Sequence, residues 1–286
     1  MDLAQYFDYS RYGELLGLVT NSLVACAILG ILGGLIGVFV VQRDMAFAVH
    51  GISELSFAGA AAALLIGADV LLGSIVGSLA AAAIIGLLGA RARDRNSIVG
   101  VLMPFGLGLG LLFLALYEGR SANKFGLLTG QVVAVDSGQL GLLIGGSVLI
   151  LAVLLVVWRP LAFDSLDPEV AAARGVPTRR LSLVFMLLLG LTVAIAVQII
   201  GALLVLALLV TPAAAAIRVT HSAILVPILS MVFGLVSALG GILIAVGSTL
   251  PVSPFITTIS FAIYLVCRDI GRTRDIRRFR RAVSAA

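Results

Sequence analysis

The stretch MAFAVHGISELSFAGAAAALL, residues 45–65, decides how this chain is read. It is long enough to cross a bilayer as a helix, which takes roughly 20 apolar residues, yet it carries His50 and Glu54 four residues apart. An ionisable side chain at mid-bilayer costs on the order of 2.5–3.5 kcal/mol on insertion scales, so it is placed to face a passage or a partner. Residues i and i+4 share one helix face, about 6 Å apart along the axis. An imidazole nitrogen with a carboxylate oxygen suits Zn²⁺, Mn²⁺ or Fe²⁺ and is poor for Cu⁺. The spacing is equally met by two side chains that pair with each other, or that bond Ser53 and Ser56. Arg43 stands just before the stretch, which leaves the depth of the pair open.

The rest of the chain supplies the membrane. Of its 286 residues 61% are hydrophobic and 12% charged, with mean hydropathy +1.19. Soluble domains run nearer 45–50% apolar and about 25% charged, so most of this apolar surface must face lipid or other buried helices. The fold class is an all-α polytopic membrane protein. Spans are expected near 18–41, 46–67, 70–90, 97–117, 140–158, 181–200, 201–217, 222–247 and 252–267. That is nine, or eight if the pair 181–217 or the last two are re-entrant. With nine, Arg43, the loop RARDRN (91–96), the loop 159–180, Arg218 and the arginine-rich C-terminus fall on one side. By the positive-inside rule the N-terminus faces out and the C-terminus is cytoplasmic. One transmembrane domain fills 1–286, with an outer N-terminal segment 1–15, a cytoplasmic loop 159–180 and a basic cytoplasmic tail 268–286.

The net charge of +5 is therefore a set of cytoplasmic flanks, able to touch anionic headgroups. It is not a nucleic-acid footprint, since no aromatic residues interleave it. Cys26 and Cys267 have no ligand spacing and read as packing residues. Acids precede the first apolar run, so no cleavable signal peptide is indicated. The glycine runs GILGGLIG (30–37) and GLGLG (106–110) let helix backbones approach. No strand precedes them, as a nucleotide loop would require. The single lysine, Lys124, is followed by Phe125, so a Walker A loop is missing. The chain is not read as an enzyme, and any ATP-driven work must be done by another subunit.

Two polar loops remain. FGLLTGQVVAVDSGQ (125–139) lies on the outer side. In the inner loop Asp167 precedes Pro168 and Glu169, a capping pattern for a short helix through PEVAAAR, which stops at Gly175 with Pro177 beyond. A capped helix in a polar loop is read as a docking element. Lesser candidates are Gln198 and Thr211-Pro212, where proline frees a backbone carbonyl as a kink or an oxygen ligand. His221 is read as interfacial, and Asp69 as a helix cap in an outer turn.

Several stretches together resemble one family, the membrane permeases of ATP-binding-cassette importers for zinc, manganese or iron. GALLVLALLVTPAAAAIR (201–218) is similar to its Gly-x-Leu-Leu-Val…Leu-Leu-Val-x-Pro-Ala-Ala-x-Ala stretch. FDSLDPEVAAARGV (163–176) resembles its coupling segment, LLTGQVVAV (127–135) its outer loop, and LPVSP (250–254) its Leu-Pro-Ser-Gly-Pro with the glycine lost. The stretch at Met45 is similar to Met-x-x-x-Gly-Asp-x-x-x-His-x-x-x-x-Gly, with the two ligand types exchanged: His50 stands at the acid position and Glu54 at the histidine position. Gly59 keeps the last glycine, while Val49 replaces another.

The resemblance implies a type II importer-like permease that works as a dimer. Its implied partners are cytoplasmic ATP-binding-cassette ATPases and an extracytoplasmic metal-binding protein. It also implies a coupling-helix role for Asp167, Pro168, Glu169, Ala173, Arg174 and Gly175. A divalent metal would be carried transiently and no cofactor held permanently. Zinc is favoured because an imidazole remains and thiolates are absent, with manganese or iron as alternatives. Two other classes stay open: an ion-coupled secondary transporter in which His50 and Glu54 relay protons, and a non-transporting membrane scaffold.

Overall fold

The computed structural model describes residues 12–89, 92–119, 135–248 and 250–285. Among them the chain forms α1 (Tyr12–Leu18), α2 (Thr20–Gln42), α3 (Ala46–Ile66), α4 (Val70–Leu88), α5 (Ala92–Leu116) and α6 (Ser137–Leu166). It continues with α7 (Pro168–Ala173), α8 (Thr178–Ile200), α9 (Ala202–Val219), α10 (Leu225–Val246) and α11 (Val252–Ala285). The chain is an all-helical multi-pass membrane protein. Eight of these helices have the length and composition to cross a bilayer, and the apolar part of α9, Leu204–Val219, is shorter.

The expectation of eight to nine spans turns on α8 and α9, which meet across one residue. Gly201 (φ 80°, ψ 156°) occupies a conformation that side-chain-bearing residues rarely adopt. It lets α9 start where α8 stops, near the end opposite the arginines. α9 then runs back until Val219 accepts a hydrogen bond from Arg274 of α11 at 2.6 Å. At about 1.5 Å per residue, its 18 residues come close to the hydrocarbon thickness of about 30 Å.

The arginines do share one end of the bundle. Arg43, after α2, meets Asp164 near the end of α6. Arg95, near the start of α5, donates to the Arg43 carbonyl at 2.9 Å. Arg179, at the start of α8, lines the same cavity as Arg43 and Asp164. Arg218 and Arg268 line another with Val41 of α2.

Small residues set the helix spacing. Gly30 lies against the backbone of Gly234, and Gly34 against Ser230, whose hydroxyl donates to the Gly34 carbonyl at 2.6 Å. These contacts seat α2 on α10. α3 is gripped on two sides, by Gly73 and Gly77 of α4 and by Gly106 and Gly110 of α5. A Cβ on Gly106 would meet the Glu54–Leu55 backbone at 3.0 Å, and a Cβ on Gly110 would run into the Phe57 ring. Without bulk at these sites the backbones close to van der Waals distance, the main attraction between helices in lipid.

Several expectations need correction or a boundary. The loop 159–180 is largely helical, because α6 runs on to Leu166 and α8 starts at Thr178. Pro160 lies within α6, where it frees the Val156 carbonyl without ending the helix. Asp164 then anchors the last turn. The loop RARDRN is helical from Ala92, where Arg95 ties the first turn of α5 to the α2–α3 turn. The basic tail continues as helix through Ala285. The outer stretch 127–135 lies outside the described residues except for Val135, as does segment 1–11 of the N-terminus.

Candidate functional site

His50 and Glu54 stand on one face of α3, with Nε2 and Oε1 3.8 Å apart. The His50 side chain keeps 27% of its surface exposed and Glu54 only 5%. At 3.8 Å the two do not share a hydrogen bond. Two donors each about 2.1 Å from one cation, at a tetrahedral angle, stand about 3.4 Å apart. The pair is thus nearly at the bite of a chelate. Ser53 donates to the His50 carbonyl at 2.8 Å, and Ser56 bonds the Ser74 hydroxyl at 2.6 Å. Both serines are engaged away from the imidazole and the carboxylate, and the buried His50 Nδ1 has no partner. Among the described residues no group of three or more His, Cys, Asp or Glu side chains stands together. One chain therefore places two side-chain donors here.

A second polar centre lies one turn of chain away. Arg43 donates to Asp164 Oδ2 at 2.6 Å and to the Ser165 hydroxyl at 3.2 Å, with side-chain exposures of 10% for Arg43 and 2% for Asp164. Its guanidinium also lies 5.7 Å from the centroid of the Phe185 ring, which stacks edge-on with Phe39 at 5.9 Å. Arg95 reaches the carbonyls of Arg43 and Asp44 at 2.9 and 3.2 Å. Asp44 holds a left-handed turn (φ 52°) between α2 and α3. This node clamps the entry to α3 onto the end of α6, beside a cavity of about 540 Å³ that Pro168 also lines.

α7 forms as its residues dictate. Asp167 accepts from the Val170 amide at 3.0 Å, Pro168 occupies the first turn, and Gly175 ends the helix in a left-handed conformation (φ 83°). Only Ala171 is buried. Pro168, Glu169, Val170, Ala173, Arg174 and Gly175 face outward, so the helix presents nearly its whole surface.

The lesser candidates have local duties. Gln198 donates to the Val70 carbonyl at 3.2 Å and ties α8 to the start of α4. Thr211 is half-buried, and Pro212 is buried in a helix that continues through it. The carbonyl freed by Pro212 belongs to Leu208, and it packs against Gly33 of α2. Asp69 caps α4 through the Leu72 amide at 2.8 Å. His221 is exposed at the basic end. Sequence reasoning missed Asp164 and Arg95 as partners of Arg43. The one available signal was the Phe163-Asp164 pair inside the family-like coupling segment.

A model of the ABC 3 transport family matches residues 16–268. The chain is 31% identical over 227 residues to the manganese transport system membrane protein MntC of Halalkalibacterium halodurans, across 79% of this chain and 78% of that protein. It is 28% identical over 247 residues to the manganese import system permease protein ScaB of Streptococcus parasanguinis, across 86% and 88%. Its fold matches PsaBC from Streptococcus pneumoniae, solved in complex with a Fab, with TM-score 0.83 and 25% identity over 94% of this chain and 99% of that one. An inward-facing metal-chelate type ABC transporter shares the fold at TM-score 0.69 and 20% identity, over 88% and 85%.

Proposed function

The chain belongs to the ABC 3 transport family, and from that premise we propose that it lines the translocation path of an ATP-driven importer of divalent transition metal, manganese in preference to zinc. The observation that carries the reading is the family match over residues 16–268, with relatives named for manganese transport across most of their length. Those names move the preference away from zinc. The donor set of one imidazole and one carboxylate accepts either ion, so the relatives carry the preference.

In this reading the ion meets His50 Nε2 and Glu54 Oε1 on its way along α3, and water or the same pair from a second copy completes its shell. The arginine end faces the cytoplasm, in keeping with the positive-inside rule, so the N-terminus lies outside. An extracytoplasmic metal-binding protein delivers the ion there. α7 is the surface that meets the ATPase, through Glu169, Val170, Ala173 and Arg174. Movement of α7 passes through Asp167 to the end of α6, then through Asp164 and Arg43 to the first turn of α3, a short covalent and ion-paired route.

The test is uptake into proteoliposomes holding the permease and its ATPase, with manganese, zinc and ferrous iron in competition. Manganese should enter only with an ATPase whose phosphate loop is intact. Uptake without hydrolysis would turn the reading to a secondary transporter. Zinc winning the competition would restore the preference drawn from the sequence.

A further inference from the structure

The basic end contains a pocket that the transport reading does not use. It has a volume of about 950 Å³ and opens between the ends of α9 and α11. Arg218, His221, Arg268, Arg272 and Arg274 line it on the side away from the membrane centre. Val41, Ala214 and Ile217 line it on the other side, with Tyr264 between. Gly271 makes the wall thin, since a Cβ there would meet the Arg218 carbonyl at 2.6 Å.

Arg274 is committed to the Val219 carbonyl at 2.6 Å. Among the described residues, neither of the two ion pairs found involves Arg218, Arg268 or Arg272. Three arginines thus line one pocket, and none of its described lining residues is a carboxylate. That arrangement repels itself unless an anion is supplied, and guanidinium forks match phosphate oxygens in pairs. Phe261 and Leu265, exposed and on the same side of α11 as Arg268 and Arg272, put apolar surface directly beside the pocket.

We propose that this pocket binds the phosphate headgroup of an anionic phospholipid, with the acyl chains running along Ile217, Tyr264 and the apolar face of α11. The pocket is apolar toward the bilayer centre and cationic at its edge, which is the polarity of a phospholipid. A free phosphate has no use for the apolar wall. The inference needs only the membrane embedding of the chain and is independent of the transported ion.

The experiment is native mass spectrometry of the purified full-length chain titrated with dioleoyl-phosphatidylglycerol or dioleoyl-phosphatidylcholine. Expected is one tightly retained phosphatidylglycerol per chain, in preference to phosphatidylcholine, and no displacement by millimolar inorganic phosphate. Arg268→Gln with Arg272→Gln, both exposed, should weaken retention roughly 25-fold, from about fivefold per arginine at a membrane surface. Arg159→Gln with Arg180→Gln removes equal charge at exposed sites outside the pocket and should leave retention intact. Equal retention of both lipids, or the same retention in the Arg268/Arg272 variant as in the parent, overturns the proposal. Displacement by inorganic phosphate identifies a free-anion site and also overturns it. So does a variant that keeps its lipid but no longer copurifies with the ATPase.

Discussion

Two ion pairs flank the same turn of chain and are built in opposite ways. Arg43 and Asp164 close to 2.6 Å with exposures of 10% and 2%, and Ser165, the Phe185 ring and Arg95 surround them. His50 and Glu54, two turns further into α3, stand 3.8 Å apart with the imidazole 27% open and one ring nitrogen unpartnered. The first pair joins elements distant in sequence, and each charge neutralises the other. The second joins neighbours on one helix that would hold together without it. A buried pair that spans elements is structural, because removing one member leaves an uncompensated charge. A pair on a single helix, too wide for its own hydrogen bond, is left free to meet a third group, as the proposed metal path requires.

The sharpest way to break that contrast is to remove each pair in turn. His50→Ala with Glu54→Ala should reduce manganese uptake to background while the protein stays folded in the membrane. Its melting temperature should be unchanged or higher, since a costly buried carboxylate is gone. Normal uptake by this variant ends the metal-path reading, and a collapsed melting temperature assigns the pair to packing instead.

Asp164→Ala should do the reverse. It strands Arg43 at a 10% exposed site and should cost about 3–5 kcal/mol of stability, read as a lowered melting temperature in detergent. Manganese binding to the surviving folded protein should persist. Arg43→Met with Asp164→Leu should recover most of the lost stability, because apolar replacement of a whole buried pair is near neutral. If the joint variant also recovers ATP-driven uptake, the route from α7 to α3 needs only packing. If it folds but hydrolyses ATP without moving metal, the ion pair itself carries the coupling.

The same contrast explains what could be read from the chain alone. Span number, the shared arginine end and the capped α7 follow from local rules: apolar length, charge placement, and an Asp-Pro start with a glycine stop. His50 and Glu54 were visible because their relation is local, i and i+4. Arg43 with Asp164 is separated by 121 positions, and no periodicity links them. The same limit hid the extension of α6 past Pro160, which depends on Asp164 finding a partner on another helix. It also hid the role of Gly33, which is to lie against the carbonyl that Pro212 frees. Tertiary contacts of this kind leave no trace in composition or spacing.

The smallest expected effect lies between the two pairs and the surface proposed to meet the ATPase. Asp167 is exposed, and its carboxylate caps α7 through the Val170 amide. Losing such a cap costs about 1 kcal/mol, confined to a six-residue helix with one buried side chain. Asp167→Ala should therefore leave the melting temperature within experimental error and weaken ATPase association several-fold, measured by copurification. Asparagine caps as well as aspartate, so Asp167→Asn should restore association if the helix is what the ATPase recognises. Failure of asparagine to rescue would assign the contact to the negative charge, and an unaltered association in Asp167→Ala would remove α7 from the coupling surface altogether.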